Sequence, residues 1–494
     1  MRAGMSRLKW WGQAVTIVTF GCSGAPTSDQ PDADALPADA ETSDGEVHEV
    51  LDVSDSGVED GSIGPEAADV RDVIPLPSTC GDRVIDPGEE CDDGNRMNGD
   101  ACDWECRAGP GSFEYPDPDP AVHPIEDTGV SVSVVPDGEF AESSGLAGFS
   151  LCRAGDGFAL AYPAGHPILA TRIQRLDRSG VPVGDPWERP EPFSLPTLEL
   201  VASEGRLVLF SKQMLGALRA AEFDDSLVPV EDTHDVAGAP AEPVGLPLQS
   251  VAVGPTGFVA GYSLPSDAGG GWLLHLVDPD ATAAGPTHLF RPVDSGTFFS
   301  QILDVPGGFV VTDGFRVVGL DEHLDVVGWT GVVSGPGLAS PGTGLETEHV
   351  ARTEDGLLFF WGAYPVAPAR LGNIWAAGLG FDGTMTMPPR IVLPEVVAGT
   401  GNELRVTYGP AGVAVVFYGL EHASETEGIL LFNTDRFGNA RSAPGLVFSM
   451  WEGADPGAPV DIAADDEGYG LAVRILDRSS STYASMFRRF VPGP

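Results

Sequence analysis

The segment best equipped for chemistry is CGDRVIDPGEECDDGNRMNGDACDWEC, residues 80–106. Its turns carry five oxygen-bearing side chains close together, namely Asp92, Asp93, Asn95, Asn98 and Asp100. Carboxylate and amide oxygens are the ligands that calcium prefers. Their spacing is not that of an EF-hand loop, and the same residue types form turns around glycine without any metal. A calcium site and a metal-free pair of turns therefore both stay open.

The same segment holds four of the six cysteines of the chain, spaced C-x10-C-x10-C-x3-C: Cys80, Cys91, Cys102 and Cys106. Structural zinc sites use closely paired ligands such as C-x2-C, so this spacing argues against zinc. A unit of this size with one tryptophan has almost no core, and two disulfide bonds are the natural source of its stability. Four cysteines allow three pairings, and the sequence does not choose among them.

The whole run from Cys80 to Cys106 resembles the cysteine-rich disulfide repeat of myxobacteria and related deltaproteobacteria. Nearly every motif position is filled, with Arg83 standing where glycine is usual. The resemblance covers only these residues. It implies a secreted or surface-attached protein and no catalytic activity.

The N-terminus has the pattern of an export signal. Basic residues precede the short apolar stretch WWGQAVTIVTF (10–20), which is too short to span a bilayer. The stretch ends at TFGC, which resembles the lipobox of bacterial lipoproteins, although Thr19 and Phe20 depart from its pattern. The resemblance implies a signal peptide over residues 1–22 and lipidation of Cys22. An ordinary secretory signal cleaved nearby is the alternative.

Two linkers are predicted around the cysteine-rich module, which we assign to residues 80–107. Residues 23–79 are rich in Ala, Asp, Pro and Ser and lack aromatic residues. Such a segment buries too little apolar surface to offset its ordering entropy, so we expect a disordered acidic spacer. Residues 108–128 form a second linker, rich in Pro and Asp.

Residues 129–494 contain one unit repeated seven times, each beginning with a glycine followed by an apolar strand. The strands are GFALAY, GRLVLF, GFVAGY, GFVVTD, GLLFFW, GVAVVF and GYGLAV, at Gly157, Gly205, Gly257, Gly308, Gly356, Gly412 and Gly468. Most copies continue with a second strand that ends at an acidic turn. The strands are apolar on both faces, as expected of strands packed between neighbouring sheets.

A period near 50 residues with about four strands per copy is typical of a β-propeller, here with seven blades. The last copy lacks an outer strand, and GVSVSVV (129–135) is available to supply it, which would close the ring with strands from both ends. The repeats resemble degenerate deltaproteobacterial propeller repeats. Two or three β-sandwich domains are the alternative. We therefore predict an all-β fold, a seven-bladed propeller with terminal strand closure.

One end of the predicted propeller carries short uniform turns and the other carries longer loops that differ between copies. Variable loops on a rigid scaffold commonly bind ligands. The polar candidates there are His166, Tyr364, Arg370 and His422. Cys152, in the first strand of copy one, is expected to be a buried, inert thiol.

The sequence contains no H-E-x-x-H or G-x-S-x-G motif and no phosphate-binding glycine loop, so we assign no catalytic residue. A net charge of −46 makes a nucleic-acid partner unfavourable. The leading hypothesis is a monomeric lipoprotein, exported and attached to the outer membrane or cell surface by its lipid. Its propeller would bind an unknown protein or polysaccharide and need no cofactor. The alternatives are a secreted polysaccharide hydrolase or lyase and a calcium-dependent adhesin.

Overall fold

The described part of the chain is built from β-strands. In this computed structural model the structure describes residues 117–135, 149–164, 170–190, 197–203, 205–212, 217–230, 233–237, 248–264, 271–290, 301–312, 316–332, 348–363, 372–397, 404–422, 424–452, 460–477 and 482–493. These ranges contain no α-helix and one short 3₁₀ helix, Met450–Glu452. No helix within them is long and apolar enough to cross a membrane.

The strands are numbered in chain order. The first nine are β1 (Ile125–Val135), β2 (Ser150–Ala154), β3 (Gly157–Ala164), β4 (Ala170–Leu176), β5 (Trp187–Pro190), β6 (Thr197–Ser203), β7 (Arg206–Lys212), β8 (Leu218–Asp224) and β9 (His234–Asp235). The next eight are β10 (Leu248–Gly254), β11 (Gly257–Leu264), β12 (Gly271–Val277), β13 (Ala284–Phe290), β14 (Gln301–Val305), β15 (Gly308–Thr312), β16 (Arg316–Asp321) and β17 (Val326–Val332). The last eleven are β18 (Glu348–Arg352), β19 (Gly356–Ala363), β20 (Gly372–Gly380), β21 (Met385–Val397), β22 (Arg405–Gly409), β23 (Gly412–Glu421), β24 (Thr426–Thr434), β25 (Gly445–Ser449), β26 (Val460–Ala464), β27 (Tyr469–Asp477) and β28 (Thr482–Pro492).

Consecutive strands pair in antiparallel fashion into groups of four. We name these groups sheet 1 (β2–β5), sheet 2 (β6–β9), sheet 3 (β10–β13), sheet 4 (β14–β17), sheet 5 (β18–β21), sheet 6 (β22–β25) and sheet 7 (β26, β27, β28 and β1). A single residue pair, Val397 with Gly419, joins sheets 5 and 6 into one eight-stranded sheet. Each group starts with what we call its first strand, followed by the strand of the repeated glycine motif.

The seven apolar strands predicted from the repeat are all strands, and each is the second of its sheet. They are buried along nearly their whole length, on both faces: every residue of β3 is buried, as are the first eight of β23. The five aromatic residues that recur in this strand, Tyr162, Phe210, Tyr262, Trp361 and Phe417, are at most 2% exposed. The predicted burial on two faces is confirmed.

The repeated glycine is required because another backbone passes close to it. In six copies, a Cβ on this glycine would lie 2.0–2.2 Å from a carbonyl oxygen of the third strand of the same sheet. Gly205 is the exception, because the atom nearest to its added Cβ is the side-chain Oδ2 of Asp225, 3.9 Å away. The reason is a shift of one residue: Arg206 pairs with Ser203 just as Gly157 pairs with Ala154. Gly205 therefore belongs to the turn, whereas the other six glycines occupy the position that a carbonyl oxygen of the third strand approaches.

The structure contains both kinds of turn that the sequence predicts: tight turns before the second strand and acidic turns after the third strand. Two-residue turns connect the first two strands of several sheets, for example between Gly254 and Gly257. The acidic turn after the third strand is held by its aspartate, whose Oδ1 accepts backbone N–H groups two or four residues further on. This occurs at Asp177, Asp224, Asp278, Asp321 and Asp435.

Apolar clusters join each sheet to the next in the chain. Seven such clusters lie within the described residues. Six connect sheets 1 to 7 in order, and the seventh connects sheet 7 back to sheet 1 through residues that include Phe487 and Phe158. The first strands follow the same cyclic order, since each contacts the next and β26 contacts β2. Every sheet is therefore packed on two faces.

Strand β1 completes sheet 7 by pairing with β28, as the sequence predicted for the segment 129–135. It starts earlier than expected, at Ile125, inside the stretch that we assigned to a linker. The preceding residues are held by polar contacts: Asn433 Nδ2 donates to the carbonyl of His123 at 2.8 Å, and Arg441 Nε donates to that of Val122 at 2.8 Å. These contacts fix the start of the strand.

Candidate functional site

Most of the residues proposed from sequence lie outside the described residues. This applies to Cys22, to the four cysteines and five oxygen ligands of residues 80–106, and to His166, Tyr364 and Arg370. His422 is described and lies exposed in the turn after β23. Across the described ranges, no group of three or more His, Cys, Asp and Glu side chains is arranged to hold a metal ion.

A polar side chain recurs at one level of all seven first strands. We call this set the polar ring, and its members are Ser150, Glu199, Ser250, Gln301, His349, Arg405 and Asp461. Six of them pair with the residue four positions after the repeated glycine, as Ser150 does with Ala161. Glu199 pairs with Phe210, which is the equivalent position after the one-residue shift at Gly205. The ring thus lies near the start of the first strands, at the end opposite the tight turns.

Four ring members connect neighbouring sheets by the same hydrogen bond. Each accepts the backbone N–H one residue beyond the ring position of the following sheet. The bonds are from Leu200 to Ser150 Oγ (3.1 Å), Ile302 to Ser250 Oγ (3.2 Å), Val350 to Gln301 Oε1 (3.0 Å) and Leu151 to Asp461 Oδ2 (2.6 Å). Because a buried N–H without an acceptor is unfavourable, these four side chains have a structural task.

Asp461 is engaged through both of its carboxylate oxygens. While Oδ2 binds the Leu151 N–H, Oδ1 accepts the N–H of Ile462 at 2.9 Å. By the pattern of the other sheets, the ring member of sheet 6, Arg405, would accept the N–H of Ile462. A guanidinium has only donors, so Arg405 cannot do so. Asp461 therefore supplies the acceptor that Arg405 cannot. A carboxylate held by two N–H groups acts as a fixed negative charge of the ring.

Arg405 and His349 form a pair within the ring. Arg405 Nη1 lies 2.9 Å from His349 Nε2 and also donates to the carbonyl of Leu404 at 3.1 Å. Since a guanidinium only donates, Nε2 must be the acceptor, and the hydrogen of the neutral imidazole is on Nδ1. Burial, reinforced by the charge of Arg405, holds the pKa of His349 well below its ordinary value, which agrees with a neutral ring. Among the described residues Nδ1 has no hydrogen-bond partner, although it is buried.

Glu199 is the carboxylic acid of the ring whose protonation is altered. Within the described part of the chain its carboxyl group makes no hydrogen bond. Burial, and secondarily the negative charge of Asp461, raises the pKa of Glu199 to about 8, against the opposing effect of Arg405. At neutral pH the side chain is therefore mostly a neutral acid whose O–H can act as a hydrogen-bond donor.

Cys152 lies one position beyond Leu151 in β2, is partly exposed rather than fully buried as expected, and is not in a disulfide. Burial, followed by the charge of Asp461, raises the pKa of its thiol. A thiol that resists deprotonation is a poor nucleophile, which agrees with the inert role expected from the sequence.

The repeat motif that starts at the glycine does not include the polar ring, although the sequence carries a signal for it. Six members precede the repeated glycine by seven residues, as Asp461 precedes Gly468. An alignment of the copies on that glycine, extended backwards, would have shown a polar position in a largely apolar strand. Glu199 departs from this spacing and precedes Gly205 by six residues, because the pairing of its copy is shifted by one residue.

Comparison with known proteins adds no relationship. No protein-family model and no curated protein matches this chain.

Proposed function

We propose that this chain is a surface-anchored bacterial lipoprotein whose body is a seven-bladed β-propeller that binds a ligand. Each four-stranded sheet would be one blade, and the first strands would line a central channel. The seventh apolar cluster, between sheets 7 and 1, carries this proposal because it returns the array to its start. Separate sandwiches would leave one face of each sheet unpacked, whereas every sheet here is packed on two.

The attachment is proposed from the N-terminal sequence. Lipidated Cys22 would hold the chain to the membrane, residues 23–79 would act as a spacer, and two disulfide bonds among Cys80, Cys91, Cys102 and Cys106 would stabilise a compact junction. Such bonds suit the oxidising cell exterior. Calcium at Asp92 to Asp100 stays a prediction for this junction.

The polar ring supports binding as the role of the propeller. Glu199, His349 and Arg405 are the members that do not accept a backbone N–H from the next sheet, so their side chains have no such structural task. They lie at the end of the sheets from which the variable segments 165–169, 265–270 and 364–371 extend. A ligand would enter from this end. Hydrolysis is less well supported, because both oxygens of the neighbouring Asp461 carboxylate are engaged by backbone groups.

Metabolic labelling with a fatty-acid analogue tests the anchor. The wild type and Cys152→Ala should take up label, whereas Cys22→Ala should not. Label on Cys22→Ala would contradict the proposed anchor.

Thermal unfolding with a panel of neutral and acidic polysaccharides tests the binding role, since a ligand that binds the native state raises the Tm. We expect at least one polysaccharide to raise the Tm of the wild type. If no polysaccharide of the panel raises the Tm, polysaccharide binding is contradicted.

Electron microscopy of the purified chain tests the architecture. Images that show a number of blades other than seven would contradict it.

A further inference from the structure

We propose that Glu199, His349 and Arg405 form a binding site for the carboxylate group of a ligand, such as an acidic sugar. The site belongs to the first strands of sheets 2, 5 and 6, so only the assembled body creates it. This inference rests on the proposed binding role and names the ligand chemistry.

The three side chains offer hydrogen-bond donors. The guanidinium of Arg405 can only donate hydrogen bonds. Because it donates to Nε2 of His349, the imidazole carries its hydrogen on Nδ1. That buried Nδ1 donor has no acceptor within the described residues. Glu199, as a neutral acid, contributes an O–H. A group that only accepts hydrogen bonds and carries negative charge, such as a carboxylate, matches this set.

The three side chains lie at one level of first strands that contact one another in cyclic order. The charge of Arg405, on β22, influences Glu199, on β6, although these strands are not neighbours in the cyclic order. The charge of Asp461, on β26, acts on Glu199 as well. Arg405 and Asp461 are the charged groups whose electrostatic effect reaches Glu199.

The proton on Glu199 decides whether a carboxylate is accepted. When Glu199 is neutral, the charges of Arg405 and Asp461 balance, and an incoming carboxylate meets the donors. When Glu199 ionises, two carboxylates already occupy the site and repel a third. Binding should therefore weaken as the pH rises through the pKa of Glu199, about 8.

Calorimetric titration of the purified chain with sodium glucuronate tests the site. Glucose is the uncharged control, and acetate shows whether the sugar contributes. We expect glucuronate to bind at pH 6.5 and to bind about tenfold more weakly at pH 9, where about a tenth of Glu199 would be neutral. Glucose should not bind, and glucuronate should bind more tightly than acetate if the ligand is an acidic sugar.

Two variants locate the site. Glu199→Gln keeps a donor but cannot ionise, so it should bind glucuronate equally at pH 6.5 and 9. Arg405→Gln should lose binding at least tenfold, whereas Arg352→Gln, which changes a half-exposed arginine of β18 paired with Asp304, should not. If Arg405→Gln does not fold, Glu199→Gln still decides the matter.

Several results would overturn the inference: no glucuronate binding, equal binding of glucose, or a decline with pH that persists in Glu199→Gln. A polysaccharide that stabilises the wild type and Arg405→Gln equally would also overturn it, yet would leave the proposed binding role intact. The two proposals can therefore fail separately.

Discussion

The carboxylate of Asp461 accepts the backbone N–H of Leu151 at 2.6 Å, and the two residues are 310 positions apart in the chain. The bond joins the first strand of sheet 7 to that of sheet 1. It repeats the geometry that Ser150, Ser250 and Gln301 use between consecutive sheets. The contact between the last and first sheets is thus made in the same way as the others.

Asp461 variants should separate its hydrogen bond from its charge. Asp461→Ala leaves the Leu151 N–H without an acceptor, and we expect it to lower the free energy of unfolding by about 1–3 kcal/mol. Asp461→Asn keeps an acceptor oxygen and should cost less. Denaturant unfolding gives the energies, and hydrogen exchange at the Leu151 amide should speed up only in Asp461→Ala. Equal exchange in both variants would contradict this role.

Glu199 should make the protein less stable as the pH rises. Its pKa is raised in the folded state, so the native protein binds more protons than the unfolded chain between about pH 4.5 and 8. The free energy of unfolding therefore falls across this window. Glu199→Gln removes the effect and should be more stable than the wild type by about 2–4 kcal/mol at pH 9, with little difference at pH 4.5.

Denaturant unfolding at several pH values measures this difference. Glu126→Gln, on the exposed side of β1, is the matched control and should not change the pH dependence. A stability gain for Glu199→Gln that is the same at pH 4.5 and pH 9 would show that the Glu199 pKa is not raised.

Gly180 and Gly184 test the packing of sheet 7 against sheet 1. Both have positive φ, +86° and +71°, so alanine strains either backbone by about 1–2 kcal/mol. At Gly180 the new Cβ would also lie 1.9 Å from Cδ1 of Phe487 in β28, whereas Gly184 has open space. We expect Gly180→Ala to be the more destabilising, by a further ~1–3 kcal/mol. A double-mutant cycle with Phe487→Ala should show coupling; additive effects would exclude this contact.

Adjacent glycines test why glycine recurs in the repeat. Gly307 has a φ of +88° and no atom within 4 Å of an added Cβ, so Gly307→Ala should cost only about 1–2 kcal/mol of backbone strain. The same change at Gly308 places Cβ 2.0 Å from the Leu320 carbonyl oxygen, and backbone cannot move aside as a side chain does. We expect Gly308→Ala to lose more than ~3 kcal/mol or to fold poorly, as judged by soluble yield and Tm. Similar losses at both positions would argue against close approach as the cause.

Much of the secondary structure was predictable because its causes are local. An apolar run after a turn glycine identifies β3 or β23 whatever surrounds it, and the acidic turns hold themselves through their own aspartates. The pairing of β1 with β28 followed from counting strands in the last copy. The one-residue shift at Gly205 was not predictable in the same way. A glycine in a turn and a glycine at the start of a strand look alike in the sequence, and only the neighbouring backbone that approaches the second kind distinguishes them.

The sequence by itself determined the strands, their turns and their repetition, because hydrophobic pattern and turn chemistry act between residues near one another in the chain. Only the tertiary structure decided that Glu199, His349, Arg405 and Asp461 belong to one ring. Their proximity depends on how the sheets stack. The protonation of Glu199 follows from that stacking, since burial and the charges of distant strands determine its pKa.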